Sequence, residues 1–443
     1  MPEFDASYRL IRKRGEPDMR SLDAYRRAGG YSALQKAIRE LAPEQIIQQV
    51  GDAKLRGRGG AGVPTADKWR IVRRQDDPIR YVICNAYDAD PRSWGVRTLL
   101  ERNPHQVIEG IVLAAYAVGA SEAYLFTRSF FVEGIASVEK ALQEAVDANL
   151  VGRDILGTDF SCTINVLGVD LGLMGGEETV QIAVIKGRRG MPEQRPPYPA
   201  QFGLWDRPTA INSVETLANV PVIVRDGPQA FASVGTATTG GTKVLTVYDY
   251  VPDSEPRVVE VPFGATLRGI LRHAGYSRAE GELRAIVVGG AEGGALPTSL
   301  LDTPFDFEPL AEAGAIVGSG IIELLPANTC MVSWSMERSR YLSKESCGKC
   351  VPCRIGMKRI TGILEGIISD LGVKADIDML NEFAKYVPDG SLCGFGIEAV
   401  NAIKTAIRYW PDHFEKHVAE QECPTGTCVP VRAHRFVTKH VLP

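Results

Sequence analysis

The residues with the most specific chemistry are thiols. Ser346-Cys347-Gly348-Lys349-Cys350-Val351-Pro352-Cys353-Arg354 spaces three cysteines two residues apart, and a fourth follows in Ser391-Leu392-Cys393-Gly394-Phe395-Gly396. Two intervening residues let a tight loop aim successive sulfurs at different irons of one cube, and a distant fourth thiolate closes it. Cys347, Cys350, Cys353 and Cys393 are therefore the ligand set expected for a [4Fe-4S] cluster. A structural zinc ion could use the same four thiols, but zinc sites usually set one C-x2-C pair against a second pair.

A second set lies further along. Cys423 and Cys428 follow His413 and His417, and Cys330 opens the same helical region. Three thiolates and one of the two imidazoles would suit zinc and would pin the C-terminal tail. The alternative is reduced, unliganded thiols.

Phosphate chemistry points to the front of the chain. Leu55-Arg56-Gly57-Arg58-Gly59-Gly60-Ala61-Gly62-Val63-Pro64-Thr65 runs into an expected helix start near Ala66-Asp67-Lys68-Trp69. Such a loop offers backbone N–H groups and a helix N-terminus to an anion, with Arg58 and Lys68 as counter-charges. It is neither a Walker loop nor the usual dinucleotide fingerprint, and a glycine-rich turn can be only a turn. Glu177-Glu178, after Gly175-Gly176, could line a ligand or simply complement a helix N-terminus.

The elements that must position these groups follow from periodicity. Residues 1 to 50 read as a helical lead-in. Residues 51–240 alternate Gly-rich turns, short β runs such as Tyr81-Val82-Ile83-Cys84 and long helical stretches such as 104–118 and 132–148, an α/β pattern. Residues 241–326 turn to Val-rich strands around one short helix, as in a β-grasp module. Residues 327–443 are helical again, a bundle around the cysteines with a C-terminal tail.

Bulk properties narrow the function. The 443 residues carry a formal net charge of −4, with basic residues scattered, so nucleic acid is not an expected partner. No apolar run is long enough for a membrane span, no secretory pattern opens the chain, and nine cysteines without a disulfide-type framework fit a reducing, cytoplasmic compartment.

Taken in order, Arg56 to Thr65, Cys84-Asn85-Ala86, Gly176-Glu177-Glu178-Thr179, Arg195-Pro196-Pro197-Tyr198-Pro199, Asn212-Ser213-Val214-Glu215-Thr216 and the cysteine cluster resemble the FMN- and [4Fe-4S]-bearing flavoprotein subunit of complex I NADH dehydrogenase. Related subunits occur in soluble hydrogenases and formate dehydrogenases. The resemblance spans about residues 50 to 430. It implies an FMN-binding Rossmann-like α/β domain, then the β-grasp domain, then the cluster bundle. Gly57, Arg58, Gly59, Gly60, Gly62 and Lys68 would hold the FMN phosphate. Asn85, Gly176, Glu177, Glu178, Asn212 and Ser213 would line the flavin, and Asp90 and Tyr198 would complete the cofactor-binding set. Glu177 and Glu178 carry the catalytic assignment, facing the nicotinamide nucleotide.

The implied activity is electron transfer between NAD(H), FMN and the cluster, the flavin converting a hydride into single electrons. One encoded cluster implies further subunits: a small thioredoxin-like [2Fe-2S] protein and a larger iron–sulfur catalytic subunit of hydrogenase, formate dehydrogenase or similar type. The Cys/His set around Cys423 resembles a zinc site of electron-bifurcating hydrogenase flavoproteins. The chain also departs from the family. Relatives usually read Cys-Asn-Ala-Asp-Glu-x-Glu-Pro-Gly where this chain has Cys84-Asn85-Ala86-Tyr87-Asp88-Ala89-Asp90-Pro91-Arg92, and Val63 and Leu173 replace a phenylalanine and a tyrosine. Weaker NADH binding is expected, with Arg92 available to a phosphate or a carboxylate. NADP(H), or a relay or scaffold without nucleotide turnover, is the alternative.

Overall fold

A computed structural model describes residues 4, 9–11, 19–249, 255–276 and 280–428. The chain divides into two compact units, one of Met1–Val247, Pro256–Gly275 and Pro304–Asp306, the other of Tyr248–Glu255, Tyr276–Thr303 and Phe307–Pro443.

The first unit is built on a four-stranded sheet. Its strands are β1 (Tyr81–Ala86), β2 (Glu122–Arg128), β3 (Thr163–Val169) and β4 (Thr209–Ser213), in the order β3-β2-β1-β4. All three pairings are parallel. Val82, Ile83 and Cys84 are buried in succession, as expected where helices cover both faces of a central parallel strand. Edge strand β3 instead mixes exposed and covered positions.

Helix Pro104–Val118 starts on proline at its first turn and ends on Gly119 in the left-handed region, and it is buried along almost its whole length. The N-terminal helices Leu22–Arg27 and Ser32–Glu40 are fixed to it by one carboxylate. Glu109 accepts from the Tyr25 hydroxyl at 2.5 Å and from the Tyr31 and Leu34 amides at 3.0 Å each. Burial pushes the Glu109 carboxyl above its usual range, and these bonds offset part of that cost.

The chain leaves β1 toward β2 on one side, while β4 lies on the other. The C-terminal ends of β1 and β4 therefore flank the point where strand order reverses, which is where open parallel sheets place ligands. That geometry puts Asn85, the residues after it, Asn212 and Ser213 at one crevice.

Over residues 242–326 the order is strand, strand, helix, strand, strand, helix, strand, so a second helix, Phe307–Ala313, accompanies the one short helix that the sequence suggested. Strands β5 (Thr242–Asp249) and β6 (Arg257–Pro262) pair antiparallel, followed by helix Leu267–His273. Strand β7 (Leu283–Val288) pairs antiparallel with β8 (Gly294–Leu296) and β9 (Ile321–Pro326). In the second unit, helices Met331–Glu345, Val351–Ile368, Lys374–Asp389, Gly394–Glu398, Asn401–Tyr409 and Pro411–Ala419 form the helical region. Met357, Ile360, Leu364 and Ile367 supply the 3.6-residue stripe that Val351–Ile368 buries. Among the described residues, no helix is long and apolar enough to cross a membrane.

Candidate flavin, iron–sulfur and metal sites

The glycine loop is a closed turn. The Gly57 amide donates to the Val63 carbonyl at 2.9 Å, and Arg56 Nε donates to the Gly62 carbonyl at 2.8 Å. Gly60 and Gly62 have φ of +115° and +64°, a left-handed backbone open to glycine at little cost. A Cβ on Gly59 would sit 3.5 Å from Ser213 Cβ, so the loop crowns the end of β4. The helix it feeds is Thr65–Arg74.

Arg58 lies behind this loop. Its guanidinium donates to the carbonyls of Thr242 at 3.0 Å, Arg56 at 2.6 Å and Gly240 at 2.5 Å, and it stacks 4.6 Å over Phe263. Only 2% of it is exposed, and burial lowers its pKa to about 10. Arg58 therefore braces the loop from within, where the sequence suggested a counter-charge facing the phosphate.

Lys68, on the helix that the loop feeds, reaches the end of β4. Its ammonium donates to the Ile211 carbonyl at 2.8 Å and pairs with Glu178, and it has three protons to give. Trp69 Nε1 donates to Asn212 Oδ1 at 2.9 Å, orienting the amide at the end of β4. Asn85 Nδ2 donates to the Gly176 carbonyl at 2.9 Å, tying the end of β1 to the Gly172–Gly176 turn.

The acidic pair splits its duties. Glu177 is the N-cap of helix Glu178–Ile185: its Oε2 accepts from the amides of Thr179 and Val180 at 2.8 and 2.9 Å. Its Oε1 is buried without a hydrogen bond from the described residues, and its charged partner is Arg195. Arg195, at 3.5 Å from Glu177 and 3.8 Å from Glu178, balances both carboxylates. In the sequence Arg195 stands in a motif with nothing to mark this role. Tyr198 is 55% exposed and presents an open aromatic face. The closed glycine loop, with Lys68 on the helix it feeds, suits a phosphate-bearing flavin.

The residues that depart from the family have defined places. Tyr87 is fully buried, and Leu173 is buried too. Arg92 pairs with Asp90, Nε to Oδ1 at 3.3 Å and NH2 to Oδ2 at 3.1 Å, and the Asp90 side chain is 3% exposed. Asp90 is thus engaged by Arg92. Asp88, at φ +50°, accepts from the Val96 amide at 3.2 Å, and desolvation pushes its pKa up to about 7.

Of the four cysteines expected to hold the cluster, three stand at helix N-termini. Cys350 is the N-cap of Val351–Ile368, Cys353 lies in its first turn, and Cys393 is the N-cap of Gly394–Glu398. Cys347 sits in the loop that precedes Cys350, and the Leu392 amide donates to Cys350 Sγ at 3.3 Å. Thiolates at helix N-termini gain from unpaired amides and the positive dipole end, which suits an anionic cluster.

Cys330, His417, Cys423 and Cys428 bring four ligand atoms within 4.8 Å of one another. His417 Nδ1 is 2.7 Å from the His413 carbonyl, which turns Nε2 toward Cys428 Sγ at 3.4 Å and Cys330 Sγ at 3.8 Å. This donor set fits tetrahedral zinc. His413 instead accepts the Met331 amide on Nδ1 at 3.2 Å, so His417 is the imidazole that joins the thiols.

A parallel sheet with a ligand crevice at its reversal point and cysteines on helix N-termini defines a flavin and iron–sulfur electron carrier. Residues 50–222 match the Nuo51 FMN-binding domain, and residues 335–417 match the NADH-ubiquinone oxidoreductase-F iron-sulfur binding region. The HndC subunit of the NADP-reducing hydrogenase of Solidesulfovibrio fructosivorans is 36% identical over 93% of this chain and 83% of its own length. The second F-type subunit of NADH-quinone oxidoreductase from Rhizobium meliloti is 35% identical over 94% of this chain and 98% of its own. A chain of an NAD+-reducing [NiFe]-hydrogenase in the H2-reduced state superposes with a TM-score of 0.77 at 30% identity, covering 96% of this chain and 70% of that one. The chain belongs to the family of the F-type subunits of NADH-quinone oxidoreductase.

Proposed function

We propose that this chain exchanges electrons between NAD(H) and an iron–sulfur chain as one subunit of a larger oxidoreductase. The observation that carries this reading is the convergence, at the ends of β1 and β4, of the glycine loop, Lys68, Asn85, Asn212 and the Glu177–Glu178 pair. When bound, FMN supplies hydride exchange and conversion to single electrons, and a [4Fe-4S] cluster supplies one-electron conduction.

The chain's own residues bind and orient. The loop amides and the Lys68 ammonium would hold the phosphate, and the Asn85 and Asn212 amides, each fixed by a neighbour, would line the flavin. Ser213, which caps helix Val214–Asp226, closes the ribityl side. Glu177 and Glu178, balanced by Arg195, would face the nicotinamide nucleotide, and Tyr198 would offer a stacking face to adenine. Cys347, Cys350, Cys353 and Cys393 hold the cluster, and Cys330, His417, Cys423 and Cys428 hold zinc. Partners are a small thioredoxin-like [2Fe-2S] protein and a larger iron–sulfur catalytic subunit, in the reducing cytoplasm.

Arg92 decides the nucleotide. An exposed arginine–phosphate contact is worth up to about 1 kcal/mol, whereas stripping the partner from a largely buried carboxylate costs on the order of 2 kcal/mol or more. Arg92 therefore stays on Asp90, and NAD(H) is the preferred substrate. Stopped-flow bleaching of the flavin by NADH and NADPH tests this. Arg92→Gly should slow flavin reduction by both nucleotides to a similar extent. Selective loss of NADPH reduction would instead assign Arg92 to a 2′-phosphate.

A further inference from the structure

Tyr87 is more than core filling. It follows β1 directly and joins a small buried cluster with Ile83, Phe126, Ile182, Leu204 and Ile211. One face of its ring lies against Gly175: a Cβ there would come within 2.3 Å of two ring carbons. The Arg128 guanidinium covers the ring at 4.6 Å from its centroid. The hydroxyl accepts the Leu171 amide at 2.5 Å, at the entry to the Gly172–Gly176 turn.

The same side chains hold both walls of the crevice. Arg128 Nε donates to the Asp88 carbonyl at 3.1 Å and NH2 donates to the Ala89 carbonyl, fixing the loop that follows β1. Asn85 Oδ1 accepts the Tyr87 amide at 3.2 Å while its Nδ2 reaches Gly176. Tyr87 is thus wedged between the post-β1 loop and the turn that ends on Glu177. A shift of the ring must move that turn, because the Gly175 backbone touches it without any intervening side chain.

We propose that Tyr87 is a positioning residue: ring and hydroxyl clamp the Gly172–Gly176 turn so that Gly176, Glu177 and Glu178 are held at the flavin crevice. The clamp requires glycine at 175, and the two residues act as one contact. The inference rests on the flavin reading proposed above.

A double-mutant cycle tests it, read by FMN affinity of the apoprotein, by visible circular dichroism of the bound flavin and by thermal unfolding. Tyr87→Phe, which keeps the ring and removes the Leu171 bond, should weaken FMN binding about fivefold with the unfolding midpoint little changed. Gly175→Ala should weaken it by on the order of thirtyfold or more and alter the flavin dichroism. In a Tyr87→Ala background, where the added methyl has room, Gly175→Ala should cost less than about threefold further. Independent, additive effects of the two changes would overturn the inference, as would wild-type affinity and dichroism in both Tyr87→Phe and Gly175→Ala. Wild-type protein that takes up no FMN would overturn the flavin reading and this inference together.

Discussion

The two cofactor regions are built on opposite plans. At the proposed iron–sulfur site the ligands would be the cysteine side chains themselves, three of them spaced by two residues and three of them at helix N-termini. At the proposed flavin site little of the recognition would be carried by a distinctive side chain: the glycine loop closes on itself, and one lysine and two asparagines are tied to other elements. A ligand set concentrated in a few atoms should fail outright when one is lost, whereas a site distributed over a scaffold should fail by degrees. The contrast can be tested by variants whose expected effects descend in that order.

The largest effect belongs to Cys350→Ala, because a cube that loses one of four thiolates loses its iron or converts. Iron and acid-labile sulfide in anaerobically purified protein should fall from about four each to well below that, with FMN retained. Next is Gly60→Val, at φ +115°, where a β-branched side chain forces the loop away from its left-handed conformation. FMN affinity should drop by about a hundredfold or more with the cluster intact, measured by quenching of flavin fluorescence.

Third comes Cys428→Ser. Metal analysis should show about one zinc in wild-type protein and little in the variant, with a lower unfolding midpoint and unchanged iron content. A wild-type protein free of zinc would return these thiols to the reduced, unliganded state.

The smallest effect is on pH dependence. Desolvation raises the Asp88 carboxyl to about 7, so the folded protein binds this proton more tightly than the unfolded chain. Its contribution is then fully present below about pH 4 and is lost as pH rises through 7. Asp88→Asn should flatten the fall in stability between pH 4 and 7 in denaturant titrations, leaving the stability at acid pH largely as in wild type. An unaltered slope would show that another group sets it.

The same contrast explains what could be read from the chain. An iron–sulfur binding region is legible because thiol spacing is itself the geometry, and helices 104–118 and 132–147 are legible because one face or the whole surface repeats its burial. The flavin site is legible as a set of motifs, but its wiring is not. Nothing in the spacing of Arg58 says that its guanidinium turns inward onto the carbonyls of Thr242 and Gly240, nearly two hundred residues away in sequence. Arg128 carries no local signal, and the motif around Arg195 does not show what it pairs with, since their partners are set by the register of the parallel sheet and by a distant loop. Of the two histidines beside the tail thiols, the helix phase that selects His417 over His413 becomes visible only in three dimensions.

The central claim is that electrons enter as a pair at the flavin and leave singly through the cysteine-bound cluster. The most direct measurement is electron paramagnetic resonance on the anaerobic, FMN-loaded chain, frozen after NADH has been added. The account predicts bleaching of the flavin together with the signal of a reduced [4Fe-4S] cluster, and in Cys350→Ala the bleaching without that signal. Flavin that stays oxidised under NADH, or a cluster that stays oxidised beside a reduced flavin, would contradict it.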